Sequence, residues 1–545
     1  MLSKGEYLSK LDKIPNVSFN KEQKQIAKKI IEKTDDKDLE AVYGLITQRV
    51  KTGFVFDEAP EVNHNAVAII KENKDLGINV NELDVLEHKL IIGENYDALK
   101  NLCATYINKN GKGLIDVIYI DPPYNTEATK AEGNDYKEEI ESSKFIYRDK
   151  FTRDGWLNMM NERLKLAKRL LSDTGIIFIS IDDSEQAYLK VLCDEIFGEE
   201  NFIFNIPRIT KKGGKSTNTI QNNNDYLMCY TFSSDIIFSQ LEKDNLDKYK
   251  YSDEFVDTRG KYALTQTLDY DSLQYSKTMD FEIIINNKSF IPGGDIKKHE
   301  ERLSGKHNTT DWVWRWSRKA VEWGINEKVF EIKNNRIYTK SYLNVRKKNG
   351  LCEWENIEQT KPYTTLSYTD NQFSNDNAKK EIDRINLTFN NPKPSSLIKE
   401  LIKMANCKKQ AIILDFFAGS GTTGQAVMEL NEEDGGQRQF ILVTNNENSI
   451  GENITRERLY RVINGKGSNG EKIEWTYTKD KPYLINNSVR VFNIETHELT
   501  LNDLDKAEKL KDTAKSEFKK LNNNCNVSND FDIYNELSAL NPQKK

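Results

Sequence analysis

Two short segments carry residues whose types and spacing could do chemistry. The first is Asp121-Pro-Pro-Tyr-Asn125, directly after the apolar, β-branched run Leu114-Ile-Asp-Val-Ile-Tyr-Ile120. Consecutive prolines fix φ and remove donors, so the carbonyls of Asp121 and Pro122 are free to face a ligand. A carboxylate, a carbonyl and the ring of Tyr124 then converge. That set suits a planar group bearing an exocyclic amine: the acceptors take the amino hydrogens and the ring stacks on the face. An ordinary turn after a strand competes with this, because Asp and Pro are frequent turn residues.

The second segment is Asp415-Phe-Phe-Ala-Gly-Ser-Gly-Thr-Thr423, between a strand-like run and a helical one. Gly419 and Gly421 permit a tight turn and close approach of backbone to a ligand. Asp415 can accept from an ammonium or a hydroxyl, and Glu447, closing the next strand, could hold ribose hydroxyls. The turn is read as short of a full Gly-x-Gly-x-x-Gly, and a carboxylate inside it repels a pyrophosphate. Both points favour S-adenosylmethionine over a nicotinamide dinucleotide. A glycine turn also occurs without any ligand.

These segments need a scaffold that brings them together. Leu114–Ile120 and Ile176–Ile181 read as buried parallel strands. Between them Trp156, Met160, Leu164, Ala167 and Leu171 recur every three or four residues, one helical stripe. Ser172-Asp-Thr-Gly175 is expected to end that helix, with glycine at the C-cap. Ala411–Phe417 and Gln439–Thr444 are strands again, with a helix through Gln425–Leu430. Strand, helix, strand predicts a parallel sheet with right-handed crossovers, in which ligands lie at the carboxyl ends of the strands. An α/β domain is thus expected over 86–204 (catalytic half) and 386–468 (cofactor half), split by an insert at 205–385. Residues 1–85 are expected to be helical, and 469–545 to form an assembly region ending in a charged helix around Leu504–Leu521.

The pair of segments is far more specific than either alone. Asp-Pro-Pro-Tyr followed, far along the chain, by Asp-x-Phe-x-Gly-Ser-Gly-Thr-Thr resembles the catalytic and cofactor motifs of DNA amino-methyltransferases, in the order of the circularly permuted β class. Asn391-Pro-Lys-Pro-Ser-Ser-Leu397 resembles the family's cofactor-flanking motif. Gly93-Glu-Asn-Tyr-Asp-Ala-Leu99 resembles the segment before the catalytic strand, with Glu94 where many relatives have Asp; no role is assigned to it. Trp156–Leu164, Ile181-Asp-Asp-Ser-Glu185 with Phe197–Phe202, and Arg259-Gly-Lys-Tyr262 bring the modification subunits of type III restriction–modification systems nearest. The resemblance covers about residues 88–468.

This resemblance implies a Rossmann-like S-adenosylmethionine-dependent methyltransferase fold, circularly permuted, with an inserted target-recognition domain and helical extensions at both ends. It implies catalytic roles for Asp121, Pro122, Pro123 and Tyr124, and cofactor contacts from Asp415, Phe417, Gly419, Gly421, Thr422, Thr423, Glu447, Pro394, Ser395 and Ser396. The implied reaction is methyl transfer to N6 of adenine in duplex DNA. Cytosine N4, or a DNA-specificity subunit whose methylation is vestigial, is the alternative. The implied partners are double-stranded DNA, a second copy of the chain, and a restriction subunit with helicase and nuclease parts.

Composition fits. The chain has 545 residues, enough for roughly three to four domains at ~150 residues each. Its net charge of −6 argues weakly against a small basic nucleic-acid binder but leaves room for one basic cleft. Six scattered cysteines and five histidines point away from a disulfide framework or a metal site. No apolar stretch reaches the ~18 residues of a membrane span, and the cytoplasm is expected. Gly213-Gly-Lys-Ser-Thr217 is not a P-loop, because Ile209 stands where the first glycine is needed. Arg208, Lys211, Lys212 and Lys215 in the same loop are candidate phosphate contacts. Trp312, Trp314 and Trp316 alternate, as an aromatic core of the insert or as a base-facing wedge; Asp182 and Asp183 line the target pocket or are solvated.

Overall fold

The computed structural model describes residues 3–13, 21–35, 38–39, 42–43, 46, 62–80, 82–124, 153–213, 220–243, 246–498, 504–525 and 536–540. Asn125 and Lys215 lie outside them. The chain forms two compact units, residues 1–239 with 364–545, and Gln240–Tyr363.

The first unit is built on a ten-stranded sheet. Its strands are β1 (Val62–Glu72), β2 (Leu86–Ile92), β3 (Ile115–Ile120), β4 (Leu171–Ile181), β5 (Phe202–Ile209), β6 (Asn224–Thr231), β7 (Ile412–Asp415), β8 (Gln439–Thr444), β9 (Asn487–Glu498) and β10 (Ser538–Leu540). The spatial order is β10-β1-β9-β2-β8-β7-β3-β4-β6-β5. The six strands from β9 to β4 are parallel; β6 and β1 run against them. Near-continuous burial of β3, β4 and β8 is what a parallel sheet covered on both faces requires. The covering helices include α3 (Asn95–Tyr106), α4 (Arg153–Leu170), α5 (Gln186–Phe197), α7 (Ser395–Met404, following α6, Asn375–Arg384), α8 (Thr422–Asp434), α9 (Glu457–Asn464) and α10 (Leu504–Leu521). Two earlier helices, α1 (Lys4–Lys13) and α2 (Lys21–Lys33), pack through Tyr7, Leu11, Ala27 and Ile31. No helix among the described residues is long and apolar enough to cross a membrane.

This is a Rossmann-like α/β fold in permuted order. From β7 the chain runs through α8 to β8 on one side; from β3 it runs through α4 to β4 on the other. β7 and β3 are neighbours, so their carboxyl ends flank the topological switch point where such sheets bind ligands. Their contact is pinned from within the strand, where Asp116 accepts from the Ile412 amide at 2.9 Å.

Several elements differ from those expected. Residues 62–72 form a strand on the sheet rather than helix, and so does 487–498 in the tail; residues 66–72 pair with 492–498. Helix α4 ends at Leu170 and β4 begins at Leu171. Gly175 is no C-cap but sits within β4, where the register jumps between Leu171 and Ile176 and a Cβ would meet Leu171 and Ser172. Within the expected insert, only Gln240–Tyr363 forms a separate unit. Residues 205–239 and 364–385 pack with the large sheet, because β5 and β6 extend it by antiparallel pairing.

The second unit has small antiparallel sheets, among them Tyr262–Thr267 with Arg336–Tyr342 and Phe330–Lys333, around Leu268, Phe281, Trp314 and Ile337. Trp314 is buried and donates to the Phe281 carbonyl at 2.6 Å. Trp316 lies beyond the strand Thr310–Trp314 and packs on Trp323 and Phe330. Those two tryptophans are core; Trp312 is half-buried against Gly293.

Candidate active site

Asp121 and Tyr124 follow β3 at the switch point and are joined there by residues from distant segments. The Tyr124 hydroxyl donates to Asp121 Oδ1 at 2.8 Å. The Lys393 ammonium donates to both Asp121 oxygens at 2.6 Å and to the Tyr124 hydroxyl at 2.8 Å. Tyr124 also reaches Asp225 Oδ2 at 3.3 Å, and buried Arg208 grips Asp225, with Nε–Oδ1 at 2.8 Å. Burial, then the Asp121 charge, holds the Tyr124 phenol well above its ordinary range, so it stays a neutral donor. From α4, Trp156 Nε1 donates to the Pro123 carbonyl at 2.6 Å. Asp121 and the Pro122 carbonyl are the remaining acceptors of the segment.

Asp415 closes β7 beside this cluster. Its Oδ1 accepts from the Phe417 amide at 3.0 Å and its Oδ2 from the Thr423 hydroxyl at 2.5 Å. Burial raises its pKa to about 7 against those hydrogen bonds, with the Asp121 charge adding to the rise. Gly419 and Gly421 have φ of +49° and +78°, which glycine adopts freely. The turn is fixed from behind: Thr455 Oγ1 donates to the Gly419 carbonyl at 2.6 Å, and Arg458 Nη1 donates to the hydroxyls of Thr422 at 2.7 Å and Ser420 at 3.1 Å. The hydroxyls of Thr422 and Thr423 thus point into the protein, while Phe417 and Gly419 are partly open.

The two halves are tied by a buried chain. Glu94 caps α3, accepting from the Tyr96 amide at 3.3 Å, and pairs with Arg163, which is fully buried. Arg163 Nε donates to Asn95 Oδ1 at 2.5 Å, and Asn95 Nδ2 donates to the Phe416 carbonyl at 2.9 Å. Glu94, left without a role on sequence, therefore links the start of α3 to the turn after β7.

Other expected positions fall differently. The full Gly-x-Gly-x-x-Gly is present after all: Gly424 completes it, on a face where a Cβ would come within 2.7 Å of Leu459 Cδ2. Only the Asp415 carboxylate then speaks against a dinucleotide. Glu447 does not close β8, which ends at Thr444; it opens a short turn beyond the strand. Pro394 precedes α7, the Ser395 amide donates to Glu381 at 3.0 Å, and Ser396 Oγ donates to the Gln372 carbonyl at 2.9 Å. Arg208 is not a surface cation. It is buried, paired with Asp225, and donates to the Phe373 carbonyl at 2.7 Å. Lys211 and Lys212 are exposed. Asp182 accepts from the Ser184 amide at 3.0 Å, and burial raises its pKa to about 6. Lys393 escapes a reading of the sequence, although it stands inside the Asn391–Leu397 segment.

A carboxylate–phenol–ammonium cluster and a glycine turn beside a buried carboxylate thus follow neighbouring parallel strands. A family profile described as "DNA methylase" matches residues 115–464, well over half of the chain and both motifs. The chain belongs to the DNA methylase family. A profile described only as an uncharacterised conserved protein matches residues 4–111 of this DNA methylase. It is 33% identical to the StyLTI Mod subunit of a type III restriction-modification enzyme from Salmonella typhimurium, over 74% of this chain and 59% of that protein. It is 30% identical to the EcoPI Mod subunit from Escherichia phage P1, over 69% of this chain and 62% of that one. It is 31% identical to the type II methyltransferase M.KpnI from Klebsiella pneumoniae, over 74% of this chain and 94% of the relative. The DNA methylase spans about three fifths of the length of the two Mod subunits.

Proposed function

We propose that this DNA methylase transfers a methyl group from S-adenosylmethionine to N6 of adenine in duplex DNA, as the modification subunit of a type III restriction–modification system. One observation carries the reading: the amine-binding cluster at Asp121 and the glycine turn at Asp415 open at the same switch point. The residues fit the cofactor. A buried carboxylate beside two turn glycines can accept from its ammonium or ribose hydroxyls, and Phe417 and Gly419 face the opening. Bound there, the cofactor supplies an electrophilic sulfonium methyl.

The chain's own residues then do the following. The target base leaves the duplex, at a cost of a few kcal/mol. Tyr124 stacks on it, its ring held by Asp225. Asp121 and the Pro122 carbonyl accept the amino hydrogens, which localises the nitrogen lone pair for in-line attack: the N–CH3 bond would form as the S–CH3 bond breaks, with S-adenosylhomocysteine as leaving group and the surplus amino proton lost to water. Positioning and electrostatics supply most of the rate, with no covalent enzyme intermediate. The unit Gln240–Tyr363 and the exposed Lys211 and Lys212 are assigned to DNA contact. The protein acts in the cytoplasm, as a dimer, beside a restriction subunit.

The test is nucleoside mass spectrometry of unmethylated genomic DNA incubated with the purified chain and S-adenosylmethionine. N6-methyladenine that disappears with Asp121→Ala, while cofactor binding survives, is the expected result. N4-methylcytosine would overturn the base assignment alone, and full activity of Asp121→Ala would overturn the role of Asp121.

A further inference from the structure

We propose that Lys393 is a placeholder for the amine of the target base. In the base-free pocket its ammonium makes the hydrogen bonds that Asp121 is to accept from the incoming amine, and only a base bearing an exocyclic amine displaces it. This rests on the methyltransferase reading above.

The geometry points this way. Both Asp121 oxygens take the ammonium at 2.6 Å, and Oδ1 also accepts from Tyr124. An ammonium has three donors, and here all three are used, two on the carboxylate and one on the phenol. Oδ1, with two donors, and Oδ2, with one, are therefore already engaged where the amine is to bind. The Lys393 side chain is 5% exposed while that of Asp121 is 26% exposed, so the ion pair is reached from the carboxylate side. Pro392 and Pro394 flank Lys393 and stiffen its backbone, which makes displacement a side-chain movement. Tyr124 need not follow, because its hydroxyl keeps Asp225 as a second acceptor at 3.3 Å. A purine lacking the exocyclic amine offers no donor in exchange and leaves the ion pair intact. Lys393 thereby keeps the Asp121 charge paired until an amine takes its place.

The experiment is a binding cycle with the full chain and S-adenosylhomocysteine. Duplexes carry the mapped methylation site with either the natural target base or its analogue lacking the exocyclic amine. In the wild type the amine's gain is offset by the displaced lysine. Lys393→Met should widen the affinity ratio of natural base to analogue by about tenfold, and Lys393→Arg should keep it near the wild-type value. An unchanged ratio in Lys393→Met, with S-adenosylhomocysteine still bound, overturns the placeholder. If that variant loses S-adenosylhomocysteine, Lys393→Gln is judged by the same ratio. A wild-type chain that methylates no DNA base overturns the underlying reading instead; one that methylates with an unchanged ratio overturns only the role of Lys393.

Discussion

Asp415 ends one strand and Asp121 follows its immediate parallel neighbour, with Leu414 opposite Ile118 in the register between them. Two carboxylates from distant parts of the chain thus stand at neighbouring strand ends, and the charge of Asp121 adds to the burial that raises the pKa of Asp415 to about 7.

The pH dependence of cofactor binding follows from that shift. The folded pKa lies above the ordinary carboxylate value of 3.8. The folded state therefore holds this proton more tightly than the unfolded chain, and the group's contribution to stability falls as pH rises from about 4 to about 7. A cationic or hydroxyl-bearing ligand needs the carboxylate form. Affinity for S-adenosylmethionine should rise between about pH 6 and pH 8, with proton release on binding. Calorimetry in buffers of different ionisation enthalpy measures both. Asp415→Asn should flatten the profile and abolish the release; an unaltered profile would show that another group titrates.

The buried pair of Glu94 and Arg163 makes a stability prediction. Glu94→Gln removes the carboxylate that pairs with Arg163, whose side chain is 0% exposed. Breaking such a pair costs about 3–5 kcal/mol, while replacing both partners costs much less. Urea denaturation should show a large loss for Glu94→Gln and a smaller one for Glu94→Gln combined with Arg163→Met. Additive losses would mean that the two do not act as a unit.

The site is legible where its chemistry is local. Asp121-Pro-Pro-Tyr and the Gly419–Gly421 turn declare themselves within a few residues, and the apolar runs beside them mark strands. What the sequence hides is long-range. Lys393 meets Asp121 across 272 residues, a pairing that no window of sequence displays. Arg208 reads as part of a basic loop because Asp225, its counter-ion, lies on the next strand. Gly175 reads as a helix cap because a register jump inside a strand has the same small, polar composition as a helix end. The run Ala66–Ile70 is apolar and strand-like, but charged helical neighbours conceal it, and its partner comes from the C-terminal region.

Gly424 tests the packing behind the glycine turn. A Cβ there would lie 2.7 Å from Leu459 Cδ2 and 3.1 Å from Leu442 Cδ1, so those side chains, or helix α8 itself, would have to shift. Overpacking of this kind costs about 1–3 kcal/mol. Gly424→Ala should lower the Tm by several degrees and weaken S-adenosylmethionine binding, since the turn leads directly into this helix. Scanning calorimetry with and without the cofactor would read both. An unchanged Tm would show that the helix has slack.

The basic loop after β5 separates two kinds of cation by experiment. Lys211 and Lys212 are exposed, whereas Arg208 is buried on Asp225. Lys211→Ala with Lys212→Ala should weaken binding to all DNA sequences alike and reduce the slope of log affinity against log salt by about 1 for each phosphate no longer neutralised. Thermal stability should not change. Arg208→Ala should do the opposite: it leaves the Asp225 carboxylate buried and unpaired, so Tm falls, and the Tyr124 ring loses its support. Salt titrations with specific and random duplexes, beside melting curves, distinguish the two. If the lysine pair leaves the salt slope unchanged, the loop does not touch the phosphate backbone.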